Sequence, residues 1–335
     1  MLSYFIGDNG LIHAKTPCHF HENIVHSCAE GRGFSSIGQK EGDIALKWTP
    51  TPRQGVALMV LTAFLWSSGG LLIKVVPWNP VVISGLRSAV AAGLIWLNLR
   101  LMGCRLLWNR KIFLPALSLA MTLDFFVVAN KLTTSANAIV LQSTSPIWVL
   151  LLGVIFFRQK LTRLDTVTVL FTAAGISLFF VEQLSGGGMW GNLIGLGSGL
   201  WFGLFFTTNG RLPDNDHVMS ALFWAQIIAA ATALPFLFTD PPALTPLSVG
   251  ALVAMGIFQL GLPYITYGLA SRVCPPLTCS LLSLIEPLLN PVWVFLAIGE
   301  RPGALALAGA AVVIISITTR SVLIARSARP SHVPS

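Results

Sequence analysis

The sequence is short of charge: only 10% of its 335 residues are Asp, Glu, Lys or Arg. A water-soluble domain carries roughly 25%, so a soluble enzyme is excluded, and so is a collagen-like fibre. Histidine is scarce too, and all six (His13, His19, His21, His26, His217 and His332) fall outside the apolar runs. There is no H-E-x-x-H, no G-x-S-x-G, no aspartate-rich motif and no glycine-rich loop followed by lysine in nucleotide-binding spacing. Intramembrane catalysis therefore lacks its nucleophile–base pair or metal ligands, and an ATP-driven pump lacks its motor. The five cysteines, Cys18, Cys28, Cys104, Cys274 and Cys279, are odd in number and form no C-x-x-C, so neither a disulfide framework nor a zinc site follows.

What the chain has instead is apolar length. Hydrophobic residues make up 54%, mean hydropathy is +0.75, and the apolar runs extend to about 20 residues, enough for a helix to cross a ~30 Å hydrocarbon core. The runs are continuous rather than alternating, which excludes an outer-membrane barrel. The expected fold is an all-α polytopic membrane protein. Its ten transmembrane helices fall near residues 55–73, 80–98, 112–130, 136–157, 165–181, 191–207, 218–238, 248–268, 276–298 and 303–323.

Residues 1–54 balance five basic against five acidic side chains, so the whole +8 belongs to residues 55–335. That excess is dispersed through short loops rather than gathered on one hydrophilic face, which argues for topology and against nucleic acid. With the N-terminus in the cytosol, Arg100, Arg105, Arg110, Lys111, Arg158, Lys160, Arg163, Arg211 and Arg272 fall in inner loops, and the tail adds Arg320, Arg326 and Arg329. Outer loops keep Lys74, Lys131 and Arg301. Both termini are thus expected in the cytosol of a cell (inner) membrane.

An internal repeat is visible at two shifts. Moving by 141 residues lays Glu286-Pro287 on Ser145-Pro146, and moving by 135 lays Leu200-Trp201 on Leu65-Trp66. Each unit has an odd number of crossings, so the second copy enters the bilayer upside down. The expected organisation is a flexible cytosolic extension (1–54), two inverted five-helix repeats (55–183 and 190–323) and a cytosolic tail (324–335). His13, Cys18, His19, His21, His26 and Cys28 fit no tetrahedral template, so no metal is expected.

Several residues could carry chemistry. Arg87 sits inside the second span and must snorkel, pair or face water; its planar fork suits a carboxylate or phosphate. Asp124, the acid within the third span, reads either as a proton site or as a static partner of Arg87. Glu286 has a similar double reading: proton site, or acceptor for backbone donors freed by Pro287. Pro146, Pro287 and Pro291 interrupt corresponding helices of the two halves, the best sequence pointer to a midplane binding site. Near them stand Asn137, Gln142, Ser143, Ser145, Ser283 and Asn290, and Trp66, Trp148, Trp201, Tyr264 and Tyr267 are candidate cavity walls. Trp78, Trp96 and Trp108 are assigned to interfacial belts. Gly191, Gly195, Gly199 and Gly203 form a stripe along the sixth span that lets another helix approach closely.

Four stretches together resemble the drug/metabolite transporter superfamily, EamA type, over residues 55 to about 320. They are Ala63-x-x-Trp66-Ser67-Ser68 leading to Lys74; Pro80 with Arg87; Ala129-x-Lys131-x-Thr133 through Ala138 to Pro146; and Glu286-Pro287 followed by Gly299-Glu300-Arg301. The first half shows Arg158-Gln159-Lys160 where the second has its Gly-Glu-Arg loop, and no second-half arginine matches Arg87. The resemblance implies no cofactor and the passage of small metabolites through a cavity between the halves. The expectation is a secondary transporter, not an enzyme, exporting a small polar metabolite such as an amino acid, with possible proton coupling. Its partners would be that solute and the lipid bilayer, as a monomer or homodimer. A sensor or subunit of the same fold, or an intramembrane lipid-modifying enzyme, is the alternative.

Overall fold

The computed structural model describes residues 50–69, 72–73, 76–133, 135–160, 162–180, 188–298 and 304–327. The extension up to residue 49, with its histidines and Cys18 and Cys28, lies outside the described residues, as do Lys74, the 299–301 loop and the tail beyond 327. Among the described residues there are helices and no strands. In chain order they are α1 (Pro52–Trp66), α2 (Pro80–Leu101), α3 (Arg110–Leu132), α4 (Ser135–Gln142), α5 (Ser145–Phe157), α6 (Arg163–Phe180) and α7 (Met189–Asn209). They continue with α8 (Asn215–Thr232), α9 (Leu234–Thr239), α10 (Pro246–Ala254), a π-helical segment Met255–Gly261, α11 (Leu262–Ala270), α12 (Pro276–Leu282), α13 (Ile285–Ile298) and α14 (Ala304–Ser327).

The starts are written in turn chemistry. Thr51 and Gln54 cap α1 reciprocally, Asn79 precedes Pro80 at the head of α2, and Asn109, Asp214 and Thr245 accept from the first free N–H groups of α3, α8 and α10. Among the described residues, six helical stretches are long and apolar enough to cross a membrane: Pro80–Leu101, Arg110–Leu132, Asn137–Phe157, Met189–Asn209, Asn215–Thr239 and Pro246–Ala270. Large apolar side chains on the outer faces, among them Phe156, Phe171, Trp190 and Phe238, are exposed. In water they would be a liability, whereas lipid tails solvate them.

Several expected spans prove to be compound. The fourth breaks at Ser143-Thr144 and the ninth at Ser283-Leu284, in each case within four residues before its proline. α13 runs on through Pro291, so the expectation that this proline interrupts the helix is corrected. A proline deletes one N–H and its φ is already helical, so a helix held by its neighbours can carry it, as α3 does at Pro115. Trp78 is also corrected: it is buried and its Nε1 donates to the Ala243 carbonyl at 2.9 Å, while Trp96 and Trp108 are exposed.

The principal packings join the first half to the second. α3 lies along α7, and α11 lies along α1; α2 packs on α8, and α6 on α14; α4 and α5 pack on α7 as α12 and α13 pack on α1. Exchanging the halves maps this set of neighbours onto itself, as a two-fold repeat requires. The glycine stripe is the contact surface of α7. A Cβ on Gly199 would stand 2.5 Å from Thr144 Oγ1, and one on Gly203 would stand 2.5 Å from Trp148 Cβ; Gly191 and Gly195 lie against Thr133 and Leu141. Dispersion contact at this spacing replaces the hydrophobic effect that lipid cannot supply. α6 and α14 are further tied by Arg320, whose Nε and Nη2 reach one oxygen of Asp165 at 3.0 and 2.9 Å while Nη1 reaches Thr278.

Candidate functional site

Two short helix breaks meet at the centre of the bundle. Ser143 and Ser145 from the α4–α5 break line a cleft of about 210 Å³ together with Ser283 and Glu286 from the α12–α13 break. Ser145 and Glu286 are repeat equivalents, so the two halves contribute matching positions to one space. Gln142, Phe202 and Glu286 also line an adjoining cleft of about 310 Å³, whose other walls include Trp66, Arg87, Gln259 and Tyr264. The room left between these side chains is little more than a water molecule. This is a closed arrangement.

Arg87 is fully enclosed, which removes the snorkelling alternative. Its Nη1 donates to Gln259 Oε1 at 2.7 Å, and among the described residues its Nε and Nη2 have no hydrogen-bond partner and no carboxylate pairs with it. Gln259 lies in the π-helical segment Met255–Gly261, a wider turn of a kind frequently found at functional sites. Gly256 permits the segment's approach to α2: a Cβ there would stand 2.5 Å from Val90 Cβ and 2.9 Å from the Arg87 carbonyl oxygen. Glu286 shares the cleft with Arg87, and among the described residues its carboxylate makes no hydrogen bond.

Asp124 is elsewhere. It is buried outside both clefts and accepts from Ser84 Oγ at 2.7 Å and Thr232 Oγ1 at 2.9 Å, tying α3 to α2 and α8. The static pair with Arg87 does not form.

Of the other candidates, Trp66, Gln142, Ser145 and Tyr264 line the clefts. Tyr267 stands behind Trp66, ring centroids 6.3 Å apart, and its hydroxyl accepts from Asn209 Nδ2 at 3.2 Å. Asn137 donates to Thr133 and Asn192, away from the clefts. Trp201 is half-buried on α7 and lines neither space. The side chains of Asn290 and Pro291 lie outside the described residues. Sequence reasoning missed Gln259 and Phe202. Gln259 had a signal, a lone amide within an apolar run between Gly256 and Pro263; Phe202 had none to separate it from packing aromatics. No group of three or more metal-ligating side chains occurs among the described residues.

Fold and site together define a multi-pass helical membrane protein with a polar cleft at paired helix breaks. The model of the EamA-like transporter family matches twice, over residues 53–181 and 189–321. The chain belongs to that family, within the drug/metabolite transporter superfamily, whose members are transporters rather than enzymes. Among solved structures, one described only as "Crystal structure of protein" superposes with a TM-score of 0.69 at 17% identity, covering 83% of this chain and 100% of that one. At that identity the likeness speaks to the fold alone. No curated protein matches the chain.

Proposed function

We propose that this protein is a secondary transporter that exports a small polar metabolite from the cell across its inner membrane, amino acids and related compounds being the first candidates. Ten helices, five in each of two oppositely inserted repeats, would rock about the paired breaks, with both termini in the cytosol. The observation that carries the reading is Arg87: a buried cation with two N–H-bearing nitrogens unpartnered, walling a cleft that also holds Glu286. Leaving a guanidinium so poorly satisfied costs several kcal/mol, a cost that an anionic group of the solute offsets when it binds.

Glu286 supplies the opposite charge, for a cationic group of the solute or for a proton in a coupled cycle. Asp124, held by two hydroxyls outside the clefts, acts as a tie between helices and takes no part in proton movement. The closed cleft fits a carrier between its two open states, since passage requires the halves to part.

Flux in proteoliposomes tests this reading. The purified protein should move labelled amino acid down its gradient, and Arg87→Ala should abolish the flux while inserting normally. Unchanged flux in that variant would remove the anchor.

A further inference from the structure

A third space lies beside the clefts, between the broken α4–α5 helix and α6, and at about 420 Å³ it is the largest of the three. It exists because α6 packs along α14 and touches α4 and α5 only sparsely. Val140, Pro146, Ile147, Val169, Ala173 and Ile176 make most of its wall, which is apolar. Its other four residues, Ser143, Thr144, Thr172 and Ser177, carry hydroxyls, and Ser143 and Thr172 are the informative ones. Ser143 stands in the wall of this cavity and in that of the 210 Å³ cleft, so a single residue at the break separates the two spaces. Thr172 is buried, and its hydroxyl has no hydrogen-bond partner among the described residues.

That orphan is informative. One turn earlier, Thr168 satisfies its hydroxyl on the Leu164 carbonyl at 2.8 Å. The same local route is open to Thr172 and is not taken. A buried hydroxyl without a partner costs about 1–3 kcal/mol, which an occupant bearing a polar atom would offset. A lipid tail would fill the apolar wall and leave the hydroxyl as it is, so hydrocarbon alone does not fit.

We infer that this cavity is a subsite for the transported solute. The charged end sits in the cleft with Arg87 and Glu286, and an apolar group bearing one hydrogen-bonding atom passes Ser143 and seats against Thr172. The preferred class is therefore an amphipathic metabolite with an aliphatic or aromatic body, not the smallest members of the series. This rests on the transport reading above.

The test uses the full-length protein in liposomes. Ala173→Cys is labelled with a small maleimide in the presence of glycine, L-leucine or L-tyrosine as probes, and the modified peptide is quantified by mass spectrometry. Tyrosine should slow labelling most, leucine less and glycine not at all. Adding Thr172→Val should narrow the advantage of tyrosine over leucine by about 3- to 10-fold, the worth of one neutral hydrogen bond. Should Ala173→Cys fail to insert, Ser177→Cys at the rim of the same cavity gives the same readout. Equal labelling with all three probes overturns the inference. So does labelling blocked in liposomes and restored in detergent whatever the probe, which would mark a lipid tail. Flux measured on the same preparation separates the two claims: flux without protection removes the subsite alone, and protection without flux removes the transport reading and leaves the site.

Discussion

Arg87 and Asp124 are two buried charges close to the same stretch of α2, and the protein treats them in opposite ways. Asp124 accepts one hydroxyl from α2 and another from α8, and it lines no cleft. Arg87 lies one turn along α2 from Ser84, yet has one neutral acceptor for its guanidinium and stands in the wall of a closed cleft. A charge that only had to be tolerated would be surrounded, as Asp124 is. One left short of partners at the edge of a cavity fits the anchor role proposed for it, because the low local dielectric makes its unmet bonds costly.

The largest expected break in this comparison is Arg87→Ala. Transport should fall by about 100-fold or more, since a lost charge-assisted contact made in the bound state is worth roughly 3 kcal/mol, and thermal stability should not fall with it. Next comes Asp124→Ala, which should lower stability by about 1–3 kcal/mol by stranding the Ser84 hydroxyl and leaving Thr232 only the Ala229 carbonyl, with flux per folded molecule preserved. Thermal unfolding and flux on the same preparations tell the two apart; equal losses in both would erase the distinction. Glu286→Gln should flatten the pH profile of flux, whereas Asp124→Asn should leave its shape unchanged. Gln259→Leu should weaken apparent solute affinity by about 3- to 10-fold, because Arg87 then loses its orienting acceptor. The smallest effect on transport is expected of Gly203→Ala, which should destabilise the fold by about 1–3 kcal/mol by pressing a methyl group on Trp148 and leave affinity nearly unchanged.

Much of the architecture was legible because membrane insertion is dictated by local composition. Apolar runs, capping residues and the Ser145/Glu286 correspondence all lie in the linear text, and six of the expected spans coincide with described helical stretches long and apolar enough to cross a membrane. The site was legible in part. Arg87 and Glu286 announce themselves by the cost of their charge in an apolar run, and Trp66, Gln142, Ser145 and Tyr264 by proximity to breaks. Asp124 looked like a member of the same site by that criterion, but it lies outside both clefts and accepts from Ser84 and Thr232 on other helices. Asn137 and Trp201 are near in sequence to lining residues and turn to other neighbours. Gln259 lies in a π-helical distortion that no periodicity in the sequence announces.

The sequence by itself determined that this chain is a doubled, all-helical membrane protein and which of its segments are too apolar for water, since each segment's partition into lipid depends on its own residues. Tertiary structure decided which buried charge is satisfied and which is left short of partners. Hydrogen bonds between helices depend on the facing and depth of side chains far apart in the chain, as Gln259, in its turn of π-helix, meets Arg87.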